Sequence, residues 1–497
     1  MSDQGYEVAV VGAGMGGLAT AGLLARAGHS VILVDRAQQP GGVSQGFEVE
    51  GHHFNAGTSM LTGFSRGGPL DLLCQRLNIS LPVEECDPIF QVALPNHRIS
   101  LWRHPEAWSR EIQREIPDDL RGWQSLWAEI EALVADRELA LKRLPPLPPE
   151  GWRDRLRVWW LTRLGNRFLV PARDNGTLRQ ALKMPFRATM IRLEFGKISQ
   201  RVLEAALWYI LVRDPDECST LEAAVALHEA RCGVAAIPGG AATLANAVAE
   251  KFQRDGGQLR VGARVDHFLL ESGEVRGLVM EGGEVIRARS VVADVPPSVL
   301  AGSLLPPPRG WLSRRQTMEG PWHPIQMVQA VVLIVPDALM PSEISGHCLV
   351  VRDPNISATG ENMVFLRTDP AQPGEEDADR VRHLSVGRFV AAGSWDLEDL
   401  VKGALLEAVD QVIPGVESAM TLHRLLMPSA LEEMWGRPSA AVRYATDPQE
   451  WLGKRGFPHH LGWPGLSAVG EWTYPGRTVS NVVEGGMQVA DLIAKTL

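Results

Sequence analysis

The chain has 497 residues, with 49 Lys and Arg against 59 Asp and Glu, a formal charge of −10. A composition 45% apolar and 22% charged is that of a globular protein of roughly two to three domains and excludes wholesale disorder. The acidity argues against a nucleic-acid partner. Five scattered cysteines without a C-x-x-C pair exclude a disulfide framework, give no zinc signal and suit a reducing, cytoplasmic compartment.

The first apolar run, Val8 to Val11, is too short for a secretory leader, and the first basic residue is Arg26. That run reads as a buried strand. It leads at once into Gly12-Ala13-Gly14-Met15-Gly16-Gly17, then a helix through Ala27 ended by Gly28, then a second strand, Val31 to Val34, closing on Asp35. Each part has a physical role in gripping a dinucleotide. Gly12 permits the tight turn, Gly14 lets backbone approach a pyrophosphate, and Gly17 lets helix pack close to strand. The helix N-terminus offers unpaired N–H groups and a partial positive charge to phosphates. Asp35 can accept ribose hydroxyls. The motif alone does not separate NAD from FAD; its early position in a large chain favours FAD.

Residues 101–232 read as mostly helical. Within 142–200, thirteen basic residues face four acidic ones, a local charge of +9, and Trp152 to Leu164 alternates large apolar with basic residues. Such a helix can lie in an anionic lipid interface; the plainer reading keeps its tryptophans in the core and its arginines in water. Residues 144–149 and 306–308 are proline-rich joints, and Glu375-Glu376-Asp377 is a solvated loop. The run Met327 to Val335 reads as a buried strand and Leu400 to Val412 as a helix. Leu259 to Val265 reads as one strand. His52-His53 and His459-His460 read as turn or surface histidines without a third metal ligand. No Ser/His/Asp, Cys/His or metal constellation and no second dinucleotide fingerprint is present, and no catalytic residue is assigned.

Several further segments carry a resemblance. Arg36 with Pro40-Gly41-Gly42-Val43-Ser44, Ile237-Pro238-Gly239-Gly240 with Leu244, Val291-Val292-Ala293-Asp294-Val295-Pro296, and Val469-Gly470-Glu471-Trp472-Thr473-Tyr474-Pro475-Gly476 resemble parts of the two-dinucleotide-binding-domain flavoproteins. Gly51-His52-His53-Phe54-Asn55-Ala56-Gly57-Thr58-Ser59-Met60 is similar to the phytoene desaturase group, with its carotenoid cis–trans isomerases and retinol saturases. Weaker matches at Pro105 to Trp108, Met427-Pro428 and Trp435 to Pro438 extend the likeness over nearly the whole chain. The resemblance implies FAD, held by Gly12, Gly14, Gly17, Asp35, Arg36, Gly41, Gly42, Val43, Val265, Gly470, Glu471 and Val479. Glu471 would meet the ribityl chain, the backbone at Val265 would meet adenine, and the last helix would aim its N-terminus at the flavin.

The implied architecture is α/β: a Rossmann-like FAD domain discontinuous over 1–90, 233–300 and 461–497, a mixed-sheet substrate domain over 301–460, and a helical, membrane-associating region over 91–232. The implied activity is desaturation, saturation or isomerisation of a long apolar isoprenoid, a carotenoid first of all, collected from a membrane surface through 142–200. The family often has Asp at the place of Asn55, and Arg477 to Asn481 replaces a glycine-rich end. Amine oxidases carry arginine where Val43 stands and pair aromatics where this chain has Val442-Arg443-Tyr444-Ala445. An oxidase of amines or other lipids is the alternative enzyme, with Trp472 and Tyr474 either cage walls or pocket floor and core. Rab GDP-dissociation inhibitors, which carry prenyl groups without redox chemistry, are the alternative of another class; the intact phosphate loop, Asp35 and Gly470-Glu471 argue against it.

Overall fold

At residues 8–11 of the strand Tyr6–Val11 and throughout Val31–Val34 the apolar residues run on without polar alternation, because both faces are covered. The computed structural model describes residues 5–55, 60–144, 152–163, 177–305, 323–369, 381–394, 396–437, 440–445 and 457–497; the prolines at 145–149 and 306–308, the acidic run and residues 56–59 lie outside these. Parallel to the two strands run Gln258–Arg260, Val285–Ala293 and Leu466–Ala468, and Glu274–Met280 and Val265–Glu271 continue the sheet antiparallel. Strand alternation divides the core. Val8, Val10, Val31, Leu33 and Val292 pack beneath helices Met15–Arg26, Ala241–Arg254 and Val479–Ala494. Ala9, Val11, Ile32, Val34 and Val291 point the other way, into a cluster with Phe268, Leu461 and Trp472. Burying each large aliphatic here contributes about 1.5–3 kcal/mol.

The run from Leu259 to Val265 forms not one strand but parts of two, Gln258–Arg260 and Val265–Glu271. Gly262 turns the chain between them, donating its N–H to Ala37 O at 2.8 Å while Ala263 N–H bonds Asp35 O at 2.9 Å. The break places Val265 beside the end of the second strand.

A second sheet of eight strands runs Leu422–Leu426, Pro324–Pro336, Val381–Ala391, Met363–Asp369, His347–Val351, Phe90–Leu94 and His97–Leu101, with Ala441–Tyr444 also on Pro324–Pro336. It is mixed, since His347–Val351 and Phe90–Leu94 are parallel and the other pairs antiparallel. The central strand again sorts its residues by face. Val331, Leu333 and Val335 pack with Val401, Leu405 and Val409 of helix Glu398–Asp410, while Val328, Ala330 and Val332 face a large cavity. Helices Lys197–Leu211 and Thr220–Cys232 close that cavity from the opposite side.

Helix Trp152–Arg163 differs from the other helices in what it exposes. Trp152, Leu156, Trp159 and Trp160 are 72%, 55%, 43% and 44% exposed, and Val158 is buried. The four exposed residues fall at i, i+4, i+7 and i+8, one stripe of the helix. No helix among the described residues is long and apolar enough to cross a membrane.

Candidate cofactor and substrate site

The glycine loop is shaped by what it touches. Gly12 has φ +100°, and a Cβ there would lie 2.2 Å from Asp294 O. A Cβ on Gly17 would lie 2.1 Å from Gly12 O, so only glycine lets the first helical turn sit on the loop. Gly14 caps helix Met15–Arg26 without a side chain over its first turn. The Gly17 N–H is already engaged, donating to Asp294 Oδ2 at 2.8 Å. Gly41 donates to Ala13 O at 2.7 Å and bridges Gly14, which stacks the double glycine on the loop.

Asp35 is held in place by two amides: Ala13 N–H and Ala37 N–H donate to its carboxylate at 2.5 and 2.7 Å. Burial nonetheless pushes its pKa up. Arg36 reaches across to donate to Gly436 O at 2.7 Å. Arg437, the next residue, pairs with the Glu471 carboxylate and donates to Ala441 O at 2.7 Å. The substrate sheet thus sends one segment, Trp435 to Arg437, over the nucleotide end.

A cavity of about 560 Å³ joins these parts. Gly12, Gly14, Asp35, Arg36, Gly41, Gly42, Val43, Val265, Glu471 and Val479 line it. Gly17 and Gly470 stand behind the wall, both against Asp294; a Cβ on Gly470 would lie 2.4 Å from Asp294 Oδ1. The donor set fits a dinucleotide: open first-turn amides and the Arg36 guanidinium for phosphates, and the Asp35 and Glu471 carboxylates for hydroxyls. Beyond that end the walls become mostly apolar, with Val328, Val332, Phe365, Phe389 and Leu426 prominent and Arg367 and Ser385 among them.

A family model described as flavin containing amine oxidoreductase matches residues 15–494. The chain belongs to that family. It is an FAD-dependent oxidoreductase with the amine-oxidase-like flavoprotein fold and its mixed sheets. It is similar to the phytoene desaturase (neurosporene-forming) of Cereibacter sphaeroides, 24% identical with 97% of this chain and 93% of the relative covered. It is also similar to the chloroplastic prolycopene isomerase of Daucus carota, 22% identical over 99% of this chain and 80% of the relative. A putrescine oxidase variant has the same fold, with a TM-score of 0.66 at 17% identity and 99% of both chains covered. A prenyl-carrying protein without redox chemistry is therefore set aside.

Three residues of this region carry no role in the sequence reading. Asp294 is half-buried at the cavity wall, and desolvation there, with Asp35 and Glu471 nearby, raises its pKa to about 7 despite the Gly17 amide. Its signal was available, since an acid ending a strand at Ala293 must meet the glycine loop once the strands pair. Arg437 belongs to a weak match that only tertiary contact explains. Glu229, on helix Thr220–Cys232, lines the cavity from a segment that reads only as part of a mostly helical stretch.

Trp472 and Tyr474 do not pair across the cavity. Trp472 is buried edge-on to Tyr444 at 4.5 Å and lines the cavity, while Tyr474 lines a separate chamber. Asn55 is buried with its amide over Gly240, and its Oδ1 has no hydrogen-bond partner among the described residues. His459, expected in a turn or at the surface, is buried with Nδ1 2.9 Å from Ala468 O, because the loop folds inward against Leu466–Ala468. His52 stacks edge-on to His383 within a strand rather than a turn, and His53 and His460 are exposed. No group of three or more metal-ligating side chains is found among the described residues.

Proposed function

We propose that this protein desaturates, saturates or isomerises a long apolar isoprenoid, a carotenoid first of all, in the cavity that continues from the dinucleotide end into the apolar space between the second sheet and the helices. The observation that carries this reading is the wall itself. Past the Gly41–Val43 turn it is built mostly from aliphatic side chains and phenylalanines on several elements, interrupted by Tyr209, Arg367 and Ser385, which suits an extended hydrocarbon. An amine would call for paired aromatics, which Val442 and the position of Tyr474 in the second chamber do not supply, and Val43 stands where amine oxidases carry arginine. Relatives named as phytoene desaturases and prolycopene isomerases support the same substrate class.

In this reading Gly12, Gly14, Arg36, Gly41 and Gly42 hold the diphosphate, Asp35 the ribose, and Glu471, fixed by Arg437, the ribityl chain. Bound FAD supplies a two-electron acceptor or donor. The residues of the apolar arm exclude water and align the chain. The exposed stripe of Trp152, Leu156, Trp159 and Trp160, amid arginines, supports contact with an anionic membrane surface from which such a molecule is drawn. Incubating the flavin-loaded protein with poly-cis carotenes, first oxidised and then reduced, tests the reading: a changed product profile is expected, and no change with any polyene overturns it.

A further inference from the structure

Behind the main cavity lies a second chamber of about 280 Å³, beside Tyr474 and Pro475 of the flavin motif. The two spaces share Ile210, Leu211, Ala226, Thr478 and Glu229, and of these Glu229 alone can ionise. Its carboxyl makes no side-chain hydrogen bond to any described residue, whereas other acids of the chamber are engaged. Glu222 pairs with Arg213 at 3.6 Å, Glu217 with Arg443 at 2.5 Å and Asp216 with Arg187 at 3.2 Å; Lys183 is exposed. A half-buried carboxyl that faces two cavities without a hydrogen-bonding protein partner is placed to meet water or a ligand there.

The groups facing Glu229 come from three further elements. Arg137 is on helix Leu120–Leu141, Glu484 on helix Val479–Ala494, and Tyr474 in the segment just before that last helix, with the Arg137 guanidinium close enough to act on Glu229, Glu484 and Tyr474. Gln488 donates to Glu484 at 3.3 Å. With both carboxyls ionised this cluster carries a net negative charge; with one proton held between them it is neutral. Burial pushes both carboxyls up, which favours the state with a proton held between them.

We propose that Glu229 exchanges a proton with the polyene at the flavin end of the cavity, and that the Arg137–Tyr474–Glu484 chamber holds and resupplies it. This rests on the isoprenoid reading of the main cavity. The proton leaves Glu229 for one carbon of a double bond, whose π pair becomes the new C–H bond, and the positive charge spreads along the polyene. The former double bond then turns by half a rotation. A C–H pair returns to form the double bond as a proton goes back to the carboxylate, and nothing is oxidised or reduced. After the half-turn the original hydrogen, not the donated one, faces Glu229. Each turnover in D2O therefore leaves one deuteron on the product carbon.

The test uses the flavin-loaded protein and its Glu229→Gln and Glu229→Asp variants. Deuterium in the recovered polyene is expected to fall about 100-fold or more in Glu229→Gln and to recover partly in Glu229→Asp, with flavin content unchanged. Wild-type labelling should fall as rising pH empties the carboxyl, and that dependence should vanish in Glu229→Gln. Equal labelling in wild type and Glu229→Gln overturns the proposal. A second readout needs no substrate: infrared difference spectra between acid and alkaline buffer should show a protonated-carboxyl band that Glu229→Gln lacks. If that band is absent from wild type, the proton store is refuted; if it is present while no polyene reacts, the isoprenoid reading falls and the exchange step with it.

Discussion

The two halves of the cavity are built on opposite principles. At the nucleotide end the wall is backbone, and positions are held by glycines, amides and carboxylates with little slack. Gly12 and Gly17 have no room for a methyl group, and Asp35 and Asp294 accept loop amides. In the apolar arm the wall is side chains from strands and helices far apart in the chain, and no single contact defines it. A charged, rigid ligand end is gripped by directional bonds, while a long hydrocarbon needs only shape and dryness. The contrast teaches that changes at the first end should remove the cofactor, and changes in the second should remove the substrate alone.

The largest effect is expected from Gly17→Val. Its side chain must displace the Gly12 carbonyl, costing about 3–5 kcal/mol, and the purified protein should be colourless. Full flavin absorbance in this variant would break the comparison at its root. Asp294→Asn probes the same corner through pH. Folded Asp294 keeps its proton up to about 7, while the unfolded chain releases it in the ordinary carboxylate range. The stability this proton contributes is complete in acid and lost as pH rises toward 7. Thermal melts of Asp294→Asn should show a flatter slope across that window; an unchanged slope would mean the carboxyl is ionised throughout.

Arg437→Met leaves Glu471 without its partner in a mostly buried setting, and flavin retention should weaken about 10-fold, near 1.4 kcal/mol, with recovery in the double variant carrying Glu471→Gln. Equilibrium flavin titration measures it. Val332→Phe narrows the apolar arm. KM for the polyene should rise about 10-fold with flavin content unchanged, and loss of flavin would show that the two ends are not separable. The smallest effect should come from Trp159→Glu combined with Trp160→Glu. Sedimentation with anionic vesicles should drop severalfold while turnover of detergent-dispersed substrate is kept.

The first strand, glycine loop and second strand were legible because every requirement is local: a tight turn, a close helix and an acid appear within one short stretch. The break between Gln258–Arg260 and Val265–Glu271 was not, since the bonds from Gly262 and Ala263 to Ala37 and Asp35 that cause it come from elsewhere in the chain. His459 likewise looks like a loop residue until Ala468 comes to meet it. Tryptophans 152, 159 and 160 illustrate the reverse. Their pattern suits a core as well as a surface, and only their exposure in the folded chain distinguishes the two.

By itself the sequence determined that a dinucleotide loop would form near Gly12 and that β-branched runs would be buried, because backbone sterics and hydrophobic periodicity act over a few residues. Tertiary structure decided which groups share one space: Arg437 on Glu471, Asp294 under Gly17, Glu229 between two chambers, and Val332 opposite the helices. Those pairings depend on strands and helices separated by hundreds of residues being brought together, and no local pattern carries that distance.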